Sequence, residues 1–216
     1  MANLLRIDAS ARIEESHSRA LGDYFETAWE AANPITRRFL SKTPKNEIVR
    51  RDLAARPIGH IANSTIAGFY TPPDGFTPDL YAATAMSDEL IAELQAADTL
   101  VITTPLYNFS VPSSLKAWID QIMRIGHTFS FDGENFGGLL QVKDVVIICA
   151  YGANGYLDAN AMKSANFLQP YLEFLFGFMG ADTIRFISAE GMTGDAAHVD
   201  ATLTQARADI DKLFAA

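Results

Sequence analysis

The sequence holds one cysteine, Cys149, among 216 residues. A single thiol excludes an internal disulfide framework and any cysteine-rich zinc site, and it fits a reducing compartment. Positive charge is scarce as well. Seventeen Lys and Arg stand against 26 Asp and Glu, a formal charge of −9. No basic cluster is large enough to follow a phosphate backbone, which argues against nucleic acid as the main partner. The longest apolar run, Val145–Tyr151, falls far short of the ~20 residues a membrane span needs. Met1–Asp8 lacks a basic stretch followed by a long apolar core, so no signal peptide is expected. Several chemical motifs are missing too. There is no Gly-Lys-Ser/Thr Walker loop, no Gly-x-Gly-x-x-Gly fingerprint, no Gly-x-Ser-x-Gly elbow, no His-Glu-x-x-His pair and no Cys-x5-Arg loop at Cys149. These absences exclude the familiar phosphate-hydrolysing, acyl-transfer and zinc-dependent chemistries. They leave the expectation of a soluble, cytoplasmic protein with no membrane or metal role.

What is present is ordinary for a globular protein. Apolar residues make up 49% and charged residues 20%. The length suits one domain over residues 1–216. Short apolar runs alternate with amphipathic stretches. Leu4–Asp8, Ile48–Leu53, Thr99–Thr103, Val145–Cys149 and Thr183–Ile187 read as strands. Helical spacing marks Leu21, Tyr24, Phe25 and Ala28 in one helix. It marks Met86, Leu90 and Leu94 in another, with Ser87 or Asp88 as its cap. A third helix runs from Pro112 through Leu115, Trp118, Ile119, Ile122 and Met123, since proline suits a first helical position. Asn166–Met179 is apolar on most sides and reads as a buried or interface helix. Ala196–Phe214 is the last helix. Strands alternating with helices imply right-handed βαβ units. The expected architecture is an α/β, flavodoxin-like, doubly wound five-stranded parallel sheet with helices on both faces.

Three segments break the alternation. Asn33–Asn46 reads as a surface excursion. Arg56–Pro78, with four prolines, reads as a long loop. Thr128–Leu140 carries Asp132-Gly133 beside Phe129-Ser-Phe131, a hairpin signal. Loops this long in a compact domain tend to border a ligand.

In open parallel sheets, ligands sit beyond the carboxyl ends of the strands. The first such turn holds Ser10, Ser16, His17 and Ser18 and leads into a helix. A helix start offers unpaired amides and a partial positive charge, and serine hydroxyls add donors, a set suited to phosphate. The same serines also suit a simple cap and a solvated loop. The third strand is followed by Pro105-Leu106-Tyr107-Asn108-Phe109, where two aromatics and an amide can line a flat heterocycle. The fourth is followed by Ala150-Tyr151-Gly152-Ala153, where glycine permits close backbone approach. One phosphate grip and two turns around a planar ring describe a flavin mononucleotide site.

On these residues the chain resembles the FMN-dependent NADH:azoreductase and NAD(P)H:quinone reductase family. The likeness runs through Ser10, Ser16-His17-Ser18, Arg51-Asp52-Leu53-Ala54, Ser87–Ile91, Pro105–Phe109, Gly126–Phe129, Phe176–Gly180 and Ala189-Glu190-Gly191. Pro-x-Tyr-Asn-Phe is its most specific part. The resemblance implies that Ser10, Ser16, His17 and Ser18 bind the FMN phosphate. It implies that Leu106, Tyr107, Asn108 and Phe109, with Ala150, Tyr151, Gly152 and Ala153, border the isoalloxazine. It further implies a homodimer with the site at the subunit interface. The implied reaction is ping-pong transfer from NADH, or NADPH, through FMN to quinones and azo dyes. Three departures stand out: His17 replaces an expected Gln, Ala150-Tyr151-Gly152-Ala153 replaces Ser-Arg-Gly-Gly, and Asn33–Asn46 is longer than expected.

Hydride chemistry belongs to the cofactor, so no side-chain catalyst is required. Phe131 or the Arg56–Pro78 loop is expected to wall the acceptor pocket. Among the four histidines, His17 can touch the phosphate and His127 can donate a proton to the acceptor. Cys149 is expected to be buried and inert. Two other readings stay open: a flavodoxin-like electron carrier without its own small-molecule acceptor, and a receiver-type regulatory domain, which wants an acidic cluster and a well-placed Lys that the single Asp8 matches poorly.

Overall fold

The structure, a computed structural model, describes residues 2–34, 47–142 and 144–215. In chain order the elements are β1 (Asn3–Asp8), α1 (His17–Ala32), β2 (Glu47–Asp52), α2 (Asn63–Tyr70), α3 (Pro78–Ala96), β3 (Thr99–Pro105), α4 (Ser113–Ile122), β4 (Phe129–Phe131), β5 (Phe136–Gly138), β6 (Asp144–Ala150), α5 (Leu168–Phe178), β7 (Thr183–Ala189) and α6 (Ala196–Phe214). The main sheet has the order β2-β1-β3-β6-β7, and every pairing in it is parallel. The expected Asn33–Asn46 excursion lies almost wholly outside the described residues.

Alternation along the strands divides the core into two layers. Leu5, Ile7, Leu100, Ile102, Val145, Ile147 and Cys149 pack under α3, α4 and α5. Leu4, Val101, Val146, Ile148 and Ile187 pack under α1 and α6. Each such side chain contributes roughly 1.5–3 kcal/mol by leaving water, so strands buried on both faces need the near-continuous apolar runs seen here. Helix α1 lies unusually close to the sheet. A Cβ on Gly22 would stand 2.5 Å from the Thr103 methyl. Cys149 is fully buried, and burial pushes its thiol up to about 12, so it is unreactive at neutral pH.

The order also places a functional edge. The chain moves from β1 to β2 on one side and returns to β3 on the other. That reversal opens a crevice above the carboxyl ends of β1 and β3.

Two expectations need correction. Arg56–Pro78 is not one loop: it contains α2 and a 3₁₀ turn at Pro73–Gly75. Helix α2 is short and mixed, and forms because Gly68 lets it press on Thr84 of α3. The second correction concerns the start of α3. Its cap is Thr77, whose hydroxyl accepts from the Leu80 amide at 3.3 Å, with Pro78 at the first position. Ser87 lies buried inside the helix and donates to the Gln121 carbonyl at 2.7 Å. Asp88 accepts from Arg124 at 2.5 Å. Both tie α3 to the α4 region, and Met86 is exposed.

The Thr128–Leu140 hairpin forms as β4 and β5. Asp132 accepts from the Glu134 and Asn135 amides and shapes its turn. The hairpin docks on the end of α5, where the Leu140 amide donates to the Met179 carbonyl at 3.0 Å. Gly138 sits against the Met179–Gly180 peptide, where any Cβ would overlap it. Helix α5 buries Leu168, Leu172, Leu175 and Phe176 but leaves Phe174 71% exposed.

Candidate cofactor site

The turn after β1 is held to its neighbours by backbone bonds. The Ala9 amide donates to Thr103, and the Leu53 amide donates to Asp8. Ser10 is buried, and its hydroxyl accepts from the Arg12 amide at 3.2 Å. Glu15 takes a left-handed φ of 54° just before α1. Ser16 occupies the cap position, and its carbonyl accepts from the Ala20 amide. The expected side-chain cap is absent: the Ser16 hydroxyl instead lies 3.3 Å from that of Ser18. The amides of His17, Ser18 and Arg19 therefore have no acceptor among the described residues. Three unpaired amides at the positive end of a helix, beside two hydroxyls, form an anion cradle.

Charged side chains support this turn from below. Asp8 is buried and accepts from Thr103 Oγ1 at 2.7 Å and Arg6 Nε at 3.1 Å. Arg19 donates to both Asp52 oxygens at 2.7 and 2.8 Å and to the Ser10 carbonyl at 2.8 Å. Its Nε is buried with no hydrogen-bond partner among the described residues. The Arg19 fork holds Asp52 down at about 2. The engaged, buried Asp8 counts against a receiver domain, which needs an open acidic cluster.

After β3, the Leu106 amide donates to the Ala150 carbonyl at 2.9 Å. Tyr107 and Ser110 then exchange backbone bonds of 3.1 and 3.0 Å. Between them Asn108 and Phe109 take φ of 47° and 70°. This is a two-residue turn with both central residues left-handed, a conformation glycine normally supplies. It presents both side chains to solvent. The Phe109 carbonyl accepts from the Phe167 amide at 3.0 Å, and its ring approaches Tyr156.

After β6 the side chains diverge. Tyr151 is fully buried, with its ring stacked on Tyr156. Burial pushes its phenol far above the usual range. Tyr151 therefore offers the groove only its backbone. The carbonyls of Tyr151, Gly152 and Ala153 accept from Met192, Thr193 and Gly191, while the Gly152 and Ala153 amides have no acceptor among the described residues. Glu190 and Asn166 brace this loop. Glu190 accepts from the Tyr156 amide at 2.6 Å. Asn166 accepts from the Leu168 and Gln169 amides and donates to the Tyr156 carbonyl.

The sequence reading gave no role to Arg19, Glu190 or Asn166. Arg19 left a signal as a cation one position beyond the Ser16–Ser18 run and Glu190 lay in the Ala189-Glu190-Gly191 stretch of the resemblance, whereas Asn166 left none. Phe131 stands on the hairpin, and its ring packs on Phe136 at 4.7 Å.

These three turns are neighbours, because β1, β3 and β6 are adjacent and parallel in the sheet. A model of the flavodoxin-like fold matches residues 2–214. An FMN-dependent NADH:quinone oxidoreductase of Xanthobacter autotrophicus is 48% identical over 180 residues, 83% of this chain and 82% of that protein. One from Nostoc punctiforme is 42% identical over 215 residues, 100% and 99% of the two chains. The chain belongs to the flavodoxin-like family of FMN-dependent NADH:quinone oxidoreductases.

Solved structures carry the fold. The FMN complex of an FMN-dependent NADH-azoreductase from Bacillus anthracis superposes with a TM-score of 0.81 at 21% identity, over 100% of both chains. Another azoreductase, from Bacillus anthracis str. Sterne, gives 0.85 at 24% identity, over 99% of each. The residues of this family member fit an FMN cofactor. The uncapped α1 amides and serine hydroxyls suit its phosphate. The Leu106–Phe109 and Tyr151–Ala153 turns offer an exposed aromatic and unpaired amides to a flat ring. No helix among the described residues is long and apolar enough to cross a membrane.

Proposed function

We propose that this chain is an FMN-dependent NADH:quinone oxidoreductase that also reduces azo compounds. The observation that carries the reading is the convergence of three strand-end turns, one with unpaired helix amides, in a chain 42% identical over its full length to such an enzyme. Ser10, Ser16, His17 and Ser18 hold the phosphate. Leu106, Tyr107, Asn108 and Phe109 border the ring on one side, and Ala150, Gly152, Ala153 and the Tyr151 backbone on another. The bound flavin supplies hydride acceptance from NADH and its return to the acceptor. The protein binds, orients and excludes water. The Gly152 and Ala153 amides, which have no acceptor among the described residues, would donate hydrogen bonds to the polar edge of the bound ring. Phe131, with its exposed neighbour Phe136, supplies an apolar wall for a planar acceptor.

The electron-carrier reading loses ground because the relatives are named for turnover of NADH with a quinone. The protein acts in the cytoplasm as a homodimer. Support for the dimer lies in a contiguous aromatic patch: Phe131, Phe136 and Phe174, 45%, 60% and 71% exposed, are linked by ring contacts through Phe178, and exposed apolar patches mark interaction surfaces.

The test is optical. Purified protein should be yellow, bleach with NADH under argon, and recover its colour on benzoquinone. Protein that stays colourless and takes up no FMN at micromolar concentration sinks the reading.

A further inference from the structure

We propose that Arg19 is a positioning residue for the phosphate end of the cofactor, acting through the peptide after Ser10. The inference rests on the reading of the Ser10 and Ser16–Ser18 turn as the phosphate site. Arg19 lies on the first turn of α1, with its side chain 11% exposed. Its two-pronged bond to Asp52 reaches a fixed post, because Asp52 Oδ1 also accepts from the Ala54 and Ala55 amides at 2.9 and 3.1 Å. One guanidinium thus joins the turn after β1, the turn after β2 and the start of α1. Two parallel charge-assisted bonds give this join direction as well as strength.

The consequence falls on one peptide plane. Arg19 draws the Ser10 carbonyl down at 2.8 Å. In a planar trans peptide the following N–H points the opposite way. The Ala11 amide is therefore turned from the guanidinium, and it has no acceptor among the described residues. The Arg12 amide is already taken by the Ser10 hydroxyl. Among the described residues nothing besides Arg19 holds the Ser10 carbonyl. Without it the peptide is free to rotate and present an oxygen, instead of an N–H, to an anionic oxygen. The Arg19 charge is largely balanced by Asp52, so its effect is orientation rather than net attraction.

Riboflavin separates this role from general structural support, because it carries the same ring without the phosphate. The dissociation constants of FMN and riboflavin are measured by flavin fluorescence on apoprotein, with thermal unfolding as a fold control. Arg19→Met is expected to weaken FMN by about tenfold or more, the value of one charged hydrogen bond. Riboflavin should change less than about twofold on the same reasoning. Arg19→Lys keeps the cation but cannot hold Asp52 and Ser10 together. It should move FMN the same way, and it replaces Arg19→Met if that variant does not fold. Unchanged FMN binding, or equal weakening of both ligands, overturns the proposal. The double variant Ser16→Ala/Ser18→Ala separates the two failures. If it erases the preference for FMN while the Arg19 variants keep it, Arg19 alone is wrongly assigned. If neither changes the preference, the phosphate site itself is misplaced and the proposal falls with it.

Discussion

The ring of Tyr151 lies on that of Tyr156, with centroids 5.5 Å apart and 24° between the planes. Tyr151 starts the turn after β6, and Tyr156 ends it. The stack therefore closes the turn from the core side and leaves its Gly152 and Ala153 backbone exposed. The resemblance puts Tyr151 beside the isoalloxazine, and its side chain lies wholly in the core.

Tyr151→Ala should leave a cavity beneath this turn and cost about 3–5 kcal/mol, the range for a buried aromatic. Tyr151→Phe should cost about 1 kcal/mol for the lost hydroxyl bonds and leave FMN binding unchanged. Urea unfolding and FMN titration of both variants check this. Loss of FMN by the phenylalanine variant contradicts the buried placement.

Asn108 should reveal the strain of its turn. Asn108→Gly suits a positive φ and Asn108→Ala does not, so the glycine variant should be the more stable apoprotein by about 1 kcal/mol. Both lose the side-chain amide and should bind FMN more weakly. Equal apoprotein melting temperatures would show that the left-handed turn is not held before the cofactor arrives.

Asp52 carries a pH signature. Arg19 and two amides hold its folded value at about 2, below that of the unfolded chain. A depressed carboxylate stabilises the fold above its unfolded pKa and loses that contribution as pH falls toward the folded one. The stability difference between the parent and Asp52→Asn should shrink from about pH 6 to about pH 3.5. Urea midpoints across that range measure it, and a constant difference refutes the pairing.

His127 tests the proton-donor expectation. Desolvation by its neighbours and the Arg124 cation lower the pKa of this exposed imidazole, against a smaller opposing effect of Asp88. At neutral pH the imidazole is mostly unprotonated and is a poor general acid. His127→Gln should leave quinone turnover and its pH profile within about twofold. A lost alkaline or acid limb in the profile would restore the histidine to the mechanism.

All five sheet strands were legible to within one or two residues of their observed ends: β3 and β6 are β-branched apolar runs, while β1, β2 and β7 show shorter apolar stretches interrupted by charged residues. Helix α2 was not legible. Asn63–Tyr70 is only eight residues long, with little apolar periodicity, and Gly68 lets it pack against Thr84. Ser87 looked like a cap because serine prefers that place. Only the packing of α3 on α4 turns its hydroxyl to Gln121.

The sequence by itself determined the strands and their alternation with helices, and its likeness to FMN-dependent relatives pointed to the cofactor. Those elements depend on local spacing and residue type. The tertiary structure alone decided that Ser16 leaves the α1 amides unpaired, that Tyr151 turns into the core, and that Arg19 meets Asp52 across 33 residues of chain. Each of these is a choice between partners equally available to an unfolded chain, and only the approach of distant segments makes one of them the lower in free energy.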